Sequence, residues 1–187
     1  STYSDLQISQ FDGTVGFNVG NAGRTRSQGV EANARYAIAP GIALNASAAY
    51  LDFEYLDFLR GNCAFGETPD GDVVNGVQLC DYTGRRGRFT PELNFYGGLS
   101  VDRPLFGNLR LKVNANASYT GEHNVHDNLD PAGQVEGYTI VDARIGVGGD
   151  NWTIAAVGKN LLDERFRTYA AQVPFASNVG ANTQYAT

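Results

Sequence analysis

The 187-residue sequence predicts an all-β chain: a transmembrane antiparallel β-barrel wall with long extracellular loops and short periplasmic turns. Three observations carry that expectation. The run Leu109–Tyr119 alternates without a fault, placing Leu109, Leu111, Val113, Ala115, Ala117 and Tyr119 on one face of an extended chain. Arg110, Lys112, Asn114, Asn116 and Ser118 fall on the other face. At about 3.3 Å per residue and a tilt of about 45°, such a run rises roughly 25 Å, the height of a bilayer's apolar band, whereas strands of soluble sandwiches run to about 5–6 residues. Second, short and long connections alternate along the chain, the habit of outer-membrane barrels, whose loops are sorted by end. Third, no apolar stretch approaches the roughly 18 residues of a membrane helix. A membrane wall here must be built of strands, in which only every second residue has to be apolar.

The elements follow in order. Tyr3–Phe11 sets Leu6 and Ile8 opposite Asp5, Gln7 and Ser9. Val19–Ala37 ends in an alternating stretch in which Val30, Ala32, Ala34 and Tyr36 share a face. Ile42–Phe53 does the same with Ile42, Leu44, Ala46, Ala48 and Tyr50 against Asn45 and Ser47. Leu93–Val101 aligns Leu93, Phe95, Gly97, Leu99 and Val101, and Leu109–Tyr119 follows. Tyr138–Val147 sets Val141, Ala143, Ile145 and Val147 against Asp142 and Arg144, and Trp152–Asn160 places Trp152, Ile154 and Ala156 together. The short connections are Ala39-Pro40-Gly41, Arg103 to Asn108 and Gly148 to Asn151, rich in the residues that tight turns require. The long polar ones are Glu54 to Thr90, Gly121 to Gly137 and Leu162 to the end, with one brief link near Asp12 to Phe17. Tyr50, Tyr119 and Trp152 stand where interfacial aromatic anchors belong. Seven strands are an odd number, and an open edge in lipid is costly. The chain is therefore expected to lack at least one returning strand, and, with no signal peptide pattern at Ser1, to start at a processed end or, the favoured reading, to be an internal piece of a longer protein.

Composition narrows the class. A net charge of −6 gives no basic surplus for nucleic acid, while 23 glycines and 11% aromatic residues suit strands, turns and interfacial girdles. Cys63 and Cys80 share one polar segment; if it is extracellular, a disulfide is the natural reading, worth about 3 kcal/mol in the chain-entropy model, the alternative being a pair of reduced loop thiols.

Several constellations are candidate sites. His123 and His126, flanked by Glu122 and Asp127, form a His-x-x-His pair in a loop; they read as exposed polar residues, or as ligands for a metal chelate at the barrel mouth. Arg85, Arg86 and Arg88 precede the strand near Pro91. They can attract an anionic ligand, bind lipopolysaccharide phosphates, or pair with Glu67, Asp70, Asp72 and Asp81 of the same loop, the internal or lipid pairing being favoured. Asp70-Gly71-Asp72 lacks the fifth-position ligand of a calcium loop and reads as a turn. Gly146-Val147-Gly148-Gly149 precedes a strand, so it reads as a hairpin turn and not a phosphate loop. The sequons at Asn45, Asn116 and Asn151 carry no message, two of them lying mid-strand. No nucleophile stands in a catalytic context, so no enzyme is expected. No cofactor and no metal site are assigned.

One stretch is more specific. Trp152-Thr153-Ile154-Ala155-Ala156-Val157-Gly158-Lys159-Asn160-Leu161-Leu162-Asp163-Glu164-Arg165-Phe166 resembles the penultimate strand of TonB-dependent outer-membrane receptors, with Asn160, Leu161 and Asp163 as the signature and an aromatic three residues on. Asp5-Leu6-Gln7-Ile8-Ser9 with Phe11-Asp12-Gly13, Ser27-Gln28-Gly29-Val30-Glu31 and Tyr138-Thr139-Ile140-Val141-Asp142-Ala143-Arg144 agree in register. The resemblance implies a barrel of about 22 strands plugged by an N-terminal domain, of which residues 1–187 are the C-terminal barrel portion without plug or last strand. It implies import of a scarce small-molecule or glycan ligand (an iron-siderophore, cobalamin or an oligosaccharide) across the outer membrane of a Gram-negative bacterium. Energy would come from the TonB complex through an absent N-terminal segment, with the lipid bilayer and lipopolysaccharide as surroundings. The competing expectation is a small eight-stranded barrel with a structural or adhesive role.

Overall fold

The computed structural model describes residues 1–11, 17–171 and 184–186. Seven strands form one antiparallel sheet in which every strand pairs with its neighbours in sequence. They are β1 (Thr2–Phe11), β2 (Phe17–Ala39), β3 (Ile42–Asp57), β4 (Leu93–Pro104), β5 (Arg110–Thr120), β6 (Tyr138–Gly148) and β7 (Thr153–Gly158). The Asp12–Gly13 part of the family pattern, most of the link from Asp12 to Phe17 and the final residue lie outside the described residues. No helix among the described residues is long and apolar enough to cross a membrane.

Register turns the alternations of β2 to β7 into two continuous faces, while β1 pairs with residues 17–26 of β2 and turns Leu6 and Ile8 to the buried cluster. Ala34 pairs with Ala46, Ala46 with Gly97, Gly97 with Ala117 and Ala117 with Val141, giving an apolar row across five strands. The next row runs Tyr36, Leu44, Leu99, Ala115, Ala143 and Gly158, and the one after it Ile42, Val101, Val113, Ile145 and Ala156. On the opposite face the rows are polar: Arg35, Asn45, Gly98, Asn116 and Asp142 lie in register. Because strand side chains repeat with period two, a slip of one residue between any two strands would put Arg and Asn into the apolar face. Among the described residues nothing covers the apolar face: Val30 is 71%, Tyr36 68% and Ile154 75% exposed. Contiguous apolar surface on that scale marks an interface with a non-aqueous neighbour or a partner.

The connections sort by end. A two-residue turn, Pro40–Gly41, joins β2 to β3. Gly41 sits at φ +74°, and a Cβ there would lie 2.1 Å from the Asp102 carbonyl oxygen, so this turn accepts no other residue. At the same end the Arg103 guanidinium donates to the Pro40 carbonyl at 2.8 Å and the Asn108 amide to Asp150 at 2.9 Å, tying neighbouring turns together. The Gly146–Gly149 run differs from expectation. Gly146 and Gly148 belong to β6, in register with Ala155 and Thr153, and only Gly149 lies in the turn. Glycine is placed there by close cross-strand approach: a Cβ on Gly146 would meet that of Ala155 at 2.9 Å.

Among the described residues the buried core lies at the long-connection end, where the ends of β1, β2 and β3 meet the long connections. One cluster joins Ala22, Tyr55, Phe58, Cys80 and Tyr82, with Leu6, Ile8, Phe53, Cys63 and Leu129 packed against it. A second joins Val125, Val135 and Ala170, flanked by Tyr138 and Phe166. The long connections are thus folded lobes with short strand pairs of their own, Val73–Val74 with Val77–Gln78 and His123–Asn124 with Gln134–Val135.

Candidate functional site

Two lobes and the segment after β7 build the surface at the long-connection end. In the first lobe, residues 58–92, Cys63 and Cys80 form a disulfide, and backbone hydrogen bonds between Gly61 and Cys80 close the loop beside it. With both sulfurs bonded to each other, the nearby Glu67 has no thiolate partner for a metal. The Asp70 carboxylate accepts from the Asp81 N–H at 2.8 Å, and Asp72 pairs with Arg60 at 2.9 Å. Asp81 accepts from Thr83, whose hydroxyl and N–H hold that carboxyl below the usual range. Asp70-Gly71-Asp72 is a bend fixed by backbone bonds to Leu79 and Leu59.

The arginines are anchored by carboxylates. Arg85 pairs with Glu67 at 2.5 Å and lies 5.0 Å over the Tyr82 ring. Arg86 pairs with Glu92 at 3.1 Å, a partner just before β4 that loop composition did not single out. Arg88 lies 5.7 Å from the Phe89 ring centre.

The second lobe separates the two histidines. His123 is half-buried, with Nδ1 2.9 Å from the Gly121 carbonyl oxygen. His126 is fully buried, which overturns its reading as an exposed loop residue. Its Nδ1 accepts from the Asn128 N–H at 3.3 Å and lies 2.9 Å from Asp127 Oδ1, while among the described residues Nε2 and both Asp127 oxygens have no hydrogen-bond partner. Burial follows from the convergence of three segments. The Tyr82 hydroxyl sits between the carbonyls of Asn62 and Asn128, able to donate to one at a time, and burial pushes its ionisation far above the ordinary tyrosine value. Asn128 donates to the Cys63 carbonyl at 3.1 Å. Ala170 exchanges backbone hydrogen bonds with Val125 and Asp127. The His-x-x-His pair therefore does not converge on one point.

The segment after β7 gives Asn160, Leu161 and Asp163 structural roles. Asn160 adopts φ +47° and Asp163 φ +50°. The Asn160 amide donates to the Glu164 carbonyl at 2.9 Å and its oxygen accepts the Glu164 N–H at 3.0 Å, while Asp142 of β6 accepts the Asn160 N–H at 2.9 Å. This closed turn ends the strand at Gly158, earlier than the alternation suggests. It sends the chain back so that Phe166 stacks on Tyr138 at 3.8 Å and Arg167 donates to the Ala132 carbonyl. Leu161 donates its N–H to the Val141 carbonyl at 2.8 Å.

Between the lobes lies a cavity of about 250 Å³ lined by Arg85, Arg86, Glu92, Glu122, His123 and Gln134, among others. It brings together three of the five residues singled out for ligand contact; Arg88 does not line it and His126 is sealed away. Glu92 and Gln134 escaped sequence reasoning because only the fold carries them to the same place. Of the aromatic residues expected to be interfacial, Tyr50 and Trp152 are 42% and 51% exposed, Tyr119 pairs with Phe95 at 6.0 Å, and Trp152 precedes β7 at the short-turn end.

Comparison with known proteins agrees with the fold. Residues 1–161 match the family model described as TonB dependent receptor-like, beta-barrel. Among solved structures, the chain is similar to the ferric yersiniabactin uptake receptor FyuA from Yersinia pestis, with 21% identity and a TM-score of 0.65. That match covers 90% of this chain and 22% of the FyuA chain, so the sequence spans about a fifth of that receptor's length. No curated protein sequence matches.

Proposed function

Because the chain belongs to the TonB-dependent receptor β-barrel family, a family of receptors and not of enzymes, we propose that it is the C-terminal barrel portion of an outer-membrane active-transport receptor. In this reading a closed barrel of about 22 strands is completed by strands before and after these seven, and an N-terminal plug fills it. The receptor imports a ligand too large or too dilute for porin diffusion (an iron chelate, cobalamin or an oligosaccharide), driven by the TonB complex in a Gram-negative cell. The observation that carries the reading is the register, which joins the alternating strands β2 to β7 into one apolar and one polar face.

The parts divide the work by chemistry. Outward Leu, Val, Ile and Ala face lipid, and the shallow hollow of about 490 Å³ over Ala32, Ala46, Ala48, Gly97 and Ala117 gives acyl chains room between larger residues such as Phe95 and Tyr119. The inward face, including Arg35, Lys112 and Asn114, meets the plug. The folded lobes stand at the extracellular mouth beside lipopolysaccharide, with the cavity under Arg85, Arg86 and His123 as the place of capture. The test is uptake by cells carrying the full-length receptor, offered radiolabelled ferric chelates, cobalamin and oligosaccharides. Accumulation of one of them that collapses with a protonophore, while surface binding persists, supports the reading; accumulation indifferent to the protonophore overturns it.

A further inference from the structure

The next inference rests on the receptor reading and concerns the polar face, where the wall meets what fills the barrel. In the half of that face nearest the short turns, cations outnumber carboxylates. Arg35 lies in the row with Asn45, Gly98, Asn116 and Asp142. The next row toward the turns runs Ala37, Ala43, Ser100, Asn114 and Arg144. The one after it sets Lys112 between Asp102 and Gly146, and Arg110 closes the series beside Pro104. Across these rows four cations face two carboxylates, on a chain whose net charge is −6. Glu31 stands two rows nearer the mouth.

Both carboxylates are already engaged. Asp102 pairs with Arg110 at 2.7 Å, and Asp142 accepts from the Asn160 N–H at 2.9 Å and the Asn116 amide at 3.4 Å. The side chains of Arg35, Lys112 and Arg144 have no hydrogen bond or ion pair among the described residues. Arg35 and Lys112 line a hollow of about 430 Å³, with the small side chains of Ala37, Ala43 and Ser100 on the strands between them. Those small residues let an incoming group reach both cations. Asn114, directly across from Arg144, lines the same hollow. In water, unpaired cations of this kind are well solvated. Under a domain that excludes water each needs an anionic partner, because an unmatched buried charge strongly opposes packing.

We propose that the plug places carboxylate side chains in this hollow, with Arg35 and Lys112 as their ion-pair partners and Arg144 beside them, so that the patch governs how firmly the plug is seated. The occupant is a segment of the same receptor outside residues 1–187, and its chemistry follows from charge complementarity. A guanidinium meets both oxygens of a carboxylate, while an ammonium acts as a point charge beside it. A small anion passing through the barrel meets the same cations, and the test separates the two occupants.

The experiment is carbodiimide coupling of the full-length receptor in detergent, read by peptide mass spectrometry. The reagent joins a lysine amine to a carboxylate in contact with it, forming an amide while the carbodiimide takes up the water lost. Lys112 is expected to be joined to an Asp or Glu of the plug, and the product disappears in Lys112→Arg, because a guanidinium does not couple. Coupling of Lys112 to Asp102 alone, or to nothing, leaves the hollow to solvent or a passing anion and overturns the proposal. Amide exchange gives a second readout on the same receptor. Plug peptides exchange about tenfold or more faster when Arg35→Gln and Lys112→Gln are combined, and at the native rate in Lys112→Arg, which keeps the charge. Unchanged exchange in the double variant also overturns the proposal, with unchanged heat-modifiable migration on gels confirming that each barrel is folded. Import without the Lys112 cross-link to the plug overturns only this inference, and that cross-link without import overturns only the import reading.

Discussion

Asn160 shows how one residue sets both a boundary and a connection. Its side chain closes a turn with Glu164 at both ends while its backbone occupies the left-handed region. Asn160→Gly keeps that conformation accessible and removes two hydrogen bonds, so a loss of about 1–3 kcal/mol is expected in the unfolding midpoint of the full-length receptor; Asn160→Ala should lose more, because strain is added. Equal losses for the two variants would show that φ contributes nothing. Tyr82→Phe removes the donor shared by the carbonyls of Asn62 and Asn128 and should cost about 1–2 kcal/mol, seen as faster amide exchange in both lobes. Exchange accelerated in only one lobe would contradict the bridge.

At the scale of elements, the strands were legible and the lobes were not. Alternation located all seven sheet strands, with ends displaced by a few residues, because two different environments on the two faces impose period two on residues such as Val113 and Asn114. Trp152–Asn160 was overextended because alternation does not register the backbone angle at Asn160. The burial of His126 left no local trace: it depends on Tyr82, Asn128 and Ala170 meeting from three segments remote in sequence. The same loss of range applies to the cavity, since Arg86 was visible as part of a basic cluster while its partner Glu92 was not. The faces give a sharp expectation. In the membrane reading, Val113→Lys places a charge at mid-height on the lipid side and should destabilise the full-length receptor in lipid vesicles by about 2–4 kcal/mol. Asn114→Ala, on the other face, should change stability by well under half of that. Similar costs at the two positions would mean that both faces meet the same medium.

Across the whole molecule, the wall and the lobes are stabilised differently. Among the described residues the middle of the sheet has little buried interior, and its apolar face stands exposed. The lobes pack their cores against the strand ends and carry a disulfide, so reducing Cys63–Cys80 should loosen the mouth while leaving the wall below it intact: protease sites in residues 58–84 open and heat-modifiable migration persists. Loss of both together would make the lobe part of the wall's stability. The most direct test of the central claim, that these strands are staves of a membrane barrel, is a fluorophore scan along β5 in the full-length receptor reconstituted with brominated lipids. Positions 111, 113, 115 and 117 should be quenched and positions 112, 114 and 116 should not, in strict alternation; uniform quenching, or none, would contradict the account.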